Sequence, residues 1–403
     1  MNTSRLALLF IPALLAACIP APAATIRVPG DQPTIQGGLN AASIGDTVLV
    51  ACGTYYEHDI DMTSTVTLRS ETGDPDCVVI DADRMGRVFV CLYEGPGTTI
   101  EGVTITGGWA MGGGDESCGA GVLCNHASLT LRRVRFADNA GGYLGAGMYC
   151  TNSATAVIDQ CEFVGNDGGT GGGLACVLSS GVTITDCVFS GNWAGTGAGL
   201  YCRESSPTLE NVVFSNNQAW ATSDYYGGGI ALSTESCPSL TNVTLVGNVA
   251  YLGGAIYCWA NSSPHLVNVT IVGNSAMIDG GGIHSADSTP ELENTIVAFN
   301  SGGAPITCSG TGTATLTCSD VYGNSGGDWV GCIAGQYGVN GNISEDPLFC
   351  GELNPDEPYT LHSSSPCAPL SNPECGRIGA WGVGCGLTAV ETTSWGAIKA
   401  MYR

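Results

Sequence analysis

The sequence predicts an all-β fold, a single-stranded right-handed parallel β-helix (a solenoid) of about a dozen coils, and three observations carry that expectation. A glycine block followed by a short apolar run recurs as GAGVLC at Gly119, GAGMYC at Gly145, GGGLAC at Gly171, GAGLYC at Gly197, GGGIAL at Gly227, GGAIYC at Gly253 and GGGIHS at Gly280. A second block rides between the copies and closes on Asn139, Asn166, Asn192, Asn217, Asn248, Asn274 and Asn300. Each unit is made of short Val-, Ile-, Thr- and Phe-rich runs broken by Gly, Asn, Ser and Pro, which is strand and turn chemistry without a 3.6-residue apolar period. A unit of 26 to 30 residues suits one turn of a solenoid whose strands bond to their copies in the next coil.

Composition excludes the alternatives. Of 403 residues 60 are glycine, yet they follow no three-residue period, which excludes a collagen-like helix. A hydrophobic share of 44% excludes disorder. With 36 acidic against 12 basic residues and a net charge of -24, the chain lacks the clustered cations that nucleic acid requires.

In chain order, residues 1–23 read as an export signal. Arg5 is the positive start, and Leu6 to Ala17 is an apolar run well short of the ~20 residues that span a bilayer. Two processing sites compete: Ala21-Pro22-Ala23 for ordinary cleavage, and Leu15-Ala16-Ala17-Cys18, a lipobox that would make Cys18 the lipid-attachment residue. No later segment is long and apolar enough to cross a membrane. The expected location is extracytoplasmic, either secreted or associated with the outer membrane or cell surface, where cysteines meet an oxidising compartment. Residues 24–60 then form an N-terminal cap and first coil, 61–343 the repeats, 344–386 a Cys-rich closing segment, and 387–403 a short tail, either a peptide tag or a flap on the last coil.

Alignment of the repeats gives columns. Val122, Met148, Leu174, Leu200, Ile230, Ile256 and Ile283 share one inward position, and Cys124, Cys150, Cys176, Cys202 and Cys258 stand two residues on, on the same face. Between them Leu123, Tyr149, Ala175, Tyr201, Ala231, Tyr257 and His284 point outward. Phe136, Phe163, Phe189 and Phe214 make another inward column, and the closing asparagines are expected to bond coil to coil as a ladder. The column cysteines, with Cys161 and Cys187, either bridge neighbours or stay as buried thiols. Cys308, Cys318, Cys332, Cys350, Cys367, Cys375 and Cys385 lie in loop-rich sequence and are expected to form bridges whose pairing spacing does not reveal.

GGAI at Gly253–Ile256 and FxxN at Phe136–Asn139, Phe163–Asn166, Phe189–Asn192 and Phe214–Asn217 resemble the repeats of chlamydial polymorphic outer membrane proteins. The opening Ile26-Arg27-Val28-Pro29, Pro33-Thr34-Ile35-Gln36 and Gly45-Asp46-Thr47-Val48-Leu49-Val50 resembles secreted bacterial right-handed β-helix proteins of the pectin-lyase-like fold. Asp346-Pro347-Leu348-Phe349 and Ile378-Gly379-Ala380-Trp381 resemble the closing segment of the same group. The resemblance implies a short helix capping the first coil, over Gln36 to Ala42. It departs from the chlamydial pattern in having no terminal β-barrel, and no active-site signature of the pectin-degrading members is present.

Asp159, Glu162 and Asp186, on neighbouring coils, are the candidate catalytic carboxylates. The alignment sets Arg132 one coil before Asp159 and Arg135 one coil before Glu162, so inter-coil ion pairs are the competing reading. Glu57-His58-Asp59 reads as an exposed turn. For ligand binding the candidates are aromatic: Tyr149, Tyr201, Tyr257 and His284 as an exposed row, with Trp220, Asp224, Tyr225 and Tyr226 in the one lengthened turn. Such rows suit stacking on sugar rings, with carboxylates accepting hydroxyl hydrogen bonds. No cofactor and no metal are expected. The function expected is an exported bacterial, monomeric, non-catalytic module that binds polysaccharide or cell-surface glycans. A polysaccharide lyase or glycoside hydrolase, and a purely structural envelope protein, are the alternatives.

Overall fold

The computed structural model describes residues 22–112, 117–219, 225–351 and 357–386. Among them four sets of parallel strands stack coil on coil. Sheet I has 12 strands, from Thr25–Val28 to Thr315–Thr317, and sheet II has 11, from Gly53–Tyr56 to Asp320–Tyr322. Sheet III has 10, from Ile60–Asp61 to Ile306–Ser309, and sheet IV has five, from Asp167–Thr170 to Ser275–Asp279. Each coil runs from I through II to III, and five of them add a strand of IV between II and III, so the fold is the parallel β-solenoid the repeat predicts.

The N-terminal helix spans Ile35–Ala41, one residue earlier than expected. Thr34 Oγ1 accepts the amide of Gly37 at 3.0 Å, and the Glu57 carboxylate accepts those of Ile35 and Gln36 at 2.7 and 3.0 Å. The acid satisfies two of the orphan donors of the first turn, so the helix is fixed by the coil below it. His58 lies beside it in an exposed turn, its Nδ1 3.0 Å from Asp59.

The lumen is filled by in-register columns. Phe136, Phe163, Phe189 and Phe214 stack with ring centroids 4.4, 4.5 and 4.7 Å apart. Beside them runs the asparagine ladder, all of it buried. Each amide nitrogen donates to the side-chain oxygen of the next asparagine and to a backbone carbonyl, as in Asn192 Nδ2 to Asn217 Oδ1 and to Phe163 O, both 2.9 Å. The ladder continues one coil past the expected copies to Asn324, where Asp328 Oδ1 takes the place of the next oxygen at 3.0 Å. A second ladder escaped the sequence reading. Buried Ser205, Ser236, Ser262 and Ser288 each accept the backbone amide of the equivalent serine one coil earlier, at 3.0–3.3 Å.

One glycine per repeat makes the corner between sheets IV and III. Gly145 has φ +62, and a Cβ there would lie 2.2 Å from Met148 O. Gly145→Ala therefore combines a left-handed backbone, costing ~1–2 kcal/mol, with a clash against an immovable carbonyl. A urea midpoint equal to wild type would overturn that expectation. The corner folds the end of sheet IV back over the outer face of sheet III. As a result the outward column is not an exposed row: Tyr149, Tyr201, Tyr257 and His284 are 3, 7, 9 and 7% exposed. Leu123, Tyr149, Ala175, Tyr201 and Ala231 instead form a second apolar cluster with Cys118 and Leu144 from the fold-back.

Residues 376–381 run as a strap across the outer face of sheet II, over the register column Val213, Thr244, Thr270, Ile296 and Asp320. Trp381 Nε1 donates to Thr244 Oγ1 at 2.7 Å, the Ala380 amide to Thr270 Oγ1 at 2.9 Å, and Arg377 to Asn242 Oδ1 at 2.8 Å. Disulfides Cys308–Cys332, Cys318–Cys375 and Cys350–Cys385 secure this end, and Cys52–Cys77 ties the first coils. Such bridges suggest an oxidising, extracytoplasmic environment. Cys367 does not join the expected bridges; it is a buried thiol that donates to Asp320 Oδ2 at 3.3 Å. The column cysteines and the Cys161, Cys187 pair are buried thiols too, and Cys91 extends the column by one coil. Burial raises the Cys91 and Cys187 pKa well above that of an ordinary thiol, so these side chains act as small hydrophobes. No helix among the described residues is long and apolar enough to cross a membrane.

Candidate functional site

Immediately after each ladder asparagine the chain turns outward into sheet IV, and that first outward position carries the most unusual chemistry on the surface. Parallel pairing places Trp109, Ala140, Asp167 and Trp193 on successive coils in one column. A groove of about 540 Å³ opens beside the first three, lined by Arg84, Trp109, Asp138, Asp167 and a glycine floor that includes Gly141, Gly142, Gly168 and Gly169.

The floor is glycine because the coils leave no space for side chains. A Cβ on Gly141 would lie 3.3 Å from the Trp109 ring, and one on Gly142 would lie 2.4 Å from Ser117 O. The Trp109 ring thus rests on Gly141, and the Arg84 guanidinium sits 5.2 Å from its centroid, a cation–π contact. Arg84 is exposed and makes no ion pair among the described residues. Asp138 and Asp167 are exposed at the same groove. The trough continues through Gly169 to Gly195, where the Tyr225 ring lies over the glycine, 2.7 Å from where a Cβ would stand. Trp193, 46% exposed, flanks this end. The arrangement offers planar donors, two carboxylate acceptors and an open indole over a floor without side chains.

The residues singled out from sequence are distributed differently. Asp159 accepts from Arg132 Nε at 3.1 Å and from Thr185 Oγ1 at 3.1 Å, and Glu162 from Arg135 Nε at 2.7 Å. Asp186 accepts from Asn211 at 3.0 Å. These three carboxylates are held by inter-coil partners and do not line the groove. Tyr226 stacks on Tyr257 at 4.5 Å and Tyr257 on His284 at 5.3 Å, so these rings pack on one another. Burial pushes the Tyr257 phenol up to about 12 and lowers the His284 pKa, against an opposing pull from Asp279. Tyr225 does reach the trough. Trp220, Asp224 and Cys18 lie outside the described residues, as do the tail 387–403 and most of the export signal. The sequence reading missed Arg84, Trp109, Asp138 and Asp167; the available signal was the position after each ladder asparagine, which reads Ala140, Asp167, Trp193 along three coils.

No curated protein matches the sequence. Among solved structures, pectate lyase Pel9A aligns over 90% of this chain and 97% of its own at 13% identity, with a TM-score of 0.52, which shows a shared fold. A pectin methylesterase from Aspergillus niger, in deglycosylated form, aligns over 81% of this chain and 91% of its own at 13% identity, with a TM-score of 0.35. The family model described as right handed beta helix region matches residues 76–250 and 172–344, and the chain belongs to that family.

Proposed function

We propose that this chain is an exported bacterial protein, secreted or held at the cell surface, that binds polysaccharide without cleaving it through the groove at the start of sheet IV. The observation that carries the reading is the Arg84 cation, without a carboxylate partner among the described residues, laid on Trp109 and facing Asp138 and Asp167 across a glycine floor. Sugar rings offer hydroxyls to such donors and acceptors and C–H faces to an open indole. Tyr225, whose ring lies over Gly195, adds an aromatic side chain at the end of the trough. The fold shared with a pectate lyase, the GGAI and FxxN resemblance and the disulfides support an extracytoplasmic glycan partner. The carboxylates Asp159, Glu162 and Asp186 each accept from a side chain of a neighbouring coil and do not line the groove, which favours binding over catalysis.

The test is retention on a panel of insoluble polysaccharides. Native protein is expected to be retained, and Arg84→Ala, at an exposed position whose loss leaves the fold intact, to lose about tenfold in affinity. Absence of retention on every polysaccharide overturns the proposal. New unsaturated or reducing ends in the same incubations would show a lyase or hydrolase instead.

A further inference from the structure

We infer that the trough takes an uncharged, extended glycan chain laid along the solenoid axis, about one sugar unit per coil. The inference rests on the polysaccharide-binding reading above and adds the direction, length and charge of the ligand.

Direction and length follow from the register. Trp109 and Trp193 stand in one column separated by Ala140 and Asp167, three coil steps apart. Adjacent strands lie ~4.8 Å apart, so the two indoles are ~14 Å apart along the axis; an extended pyranose chain advances about 5 Å per unit, close to one coil. A chain of about four units therefore reaches from Trp109 to Trp193. Between them Gly142 and Gly169 supply a floor without side chains, a Cβ on Gly169 would already lie 3.0 Å from Tyr143 O, and the Tyr225 ring over Gly195 ends the trough beside Trp193. A chain laid across the coils would instead leave the trough after one unit.

Charge follows from the lining. Among the described residues one guanidinium faces two carboxylates, Asp138 and Asp167, on a molecule of net charge -24. A chain bearing a carboxylate on every unit would have one cation for several anions and would be repelled over the whole approach. A neutral chain meets no such barrier. Its hydroxyls accept from Arg84 and donate to Asp138 and Asp167, and its last ring stacks on Trp193, the exposed indole.

The experiment is titration calorimetry of the full chain with neutral β-1,4-linked oligomers of glucose, mannose and xylose, from two to six units, and with galacturonate oligomers of the same lengths. At least one neutral series is expected to gain affinity up to about four units and then level off, with little change between low and physiological salt. Galacturonate oligomers are expected to bind at least tenfold more weakly. Trp193→Ala should cost about tenfold on the four-unit chain, about 1.4 kcal/mol, and remove the gain in affinity between two and four units. Tighter binding of galacturonate, equal affinity for two and four units, or retention on polysaccharide with no neutral oligomer bound would each overturn the inference while leaving glycan binding intact. Loss of all retention would overturn the underlying reading itself.

Discussion

Asn217→Ala is expected to destabilise the protein by about 3–5 kcal/mol, although it removes only a small side chain. The Asn217 side chain is fully buried and makes four hydrogen bonds. Its oxygen accepts the Asn192 amide N–H at 3.1 Å and Asn192 Nδ2 at 2.9 Å, and its nitrogen donates to Phe189 O and Asn248 Oδ1, both at 2.9 Å. Alanine leaves those partners in a lumen packed by Phe189 and Phe214. Asn192 Nδ2 keeps its bond to Phe163 O, and Asn248 Oδ1 keeps the Asn217 amide, so the sharpest loss is the Asn192 N–H. An unpaired buried group costs ~1–3 kcal/mol, and the cavity term adds to it. Asn217→Asp separates the two halves of the role. Aspartate can accept both bonds and donate neither, and at neutral pH it places a charge in the lumen, so it should be no better than alanine at pH 7 and better at pH 4. Urea midpoints for the three proteins check this; a loss below ~1 kcal/mol for alanine would show that the ladder is not a principal support of the coil.

Asp320→Asn is expected to act in the opposite direction, raising stability above neutral pH by about 4 kcal/mol while changing little near pH 4. Asp320 is fully buried under the closing segment, with the Glu345 amide on one oxygen at 3.1 Å and the Cys367 thiol on the other at 3.3 Å. Burial, helped by the nearby charges of Asp328 and Glu345, raises its carboxyl from the usual 3.8 to about 7, against the two hydrogen bonds that lower it. The folded protein therefore holds a proton that the unfolded chain releases at lower pH. Folding stability falls as pH rises from about 4 to about 7, and the penalty is complete above that. Three pKa units at 1.36 kcal/mol each give the stated size. An asparagine keeps an oxygen for the Glu345 amide and cannot ionise, so its stability should be flat across the window. Melting temperatures between pH 4 and pH 8.5 decide the matter: parallel curves for the two proteins would contradict the role given to Asp320.

The architecture was legible because a solenoid repeats its constraints. Seven asparagines at one position, four phenylalanines at another and a glycine at every corner each announce the coil separately, and the structure places them as a ladder, a stack and a set of left-handed turns. The surface was less legible. Residues that alternate along a strand show which way they point and not what lies above them, so Tyr149 and Tyr201 read as exposed until the fold-back from Leu144 and its equivalents covered them. The groove failed for the converse reason. Arg84 and Trp109 lie on two successive coils ahead of the first glycine block, and Asp138 and Asp167 occur once each in columns otherwise filled by unrelated residues, so no periodic signal brought them together. The serine ladder was hidden by a shifting offset, three or four residues after the inward position of sheet III. Site chemistry in such a fold lies where the repeat is broken, and a method that reads repeats passes over it.

Among the described residues the disulfides, finally, lie at the two extremities: Cys52–Cys77 in the first coils and three bridges from Cys308 onward. A solenoid whose coils touch only their neighbours ordinarily unravels from its tips, like a zipper opened at either end. Here both tips are riveted, so unwinding has to start as a bubble in the thiol-filled middle, where every coil is gripped from two sides. That turns a structure prone to gradual peeling into one that yields all at once or not at all. A reductant acting on these few outer bridges would restore the zipper without touching the body of the rod.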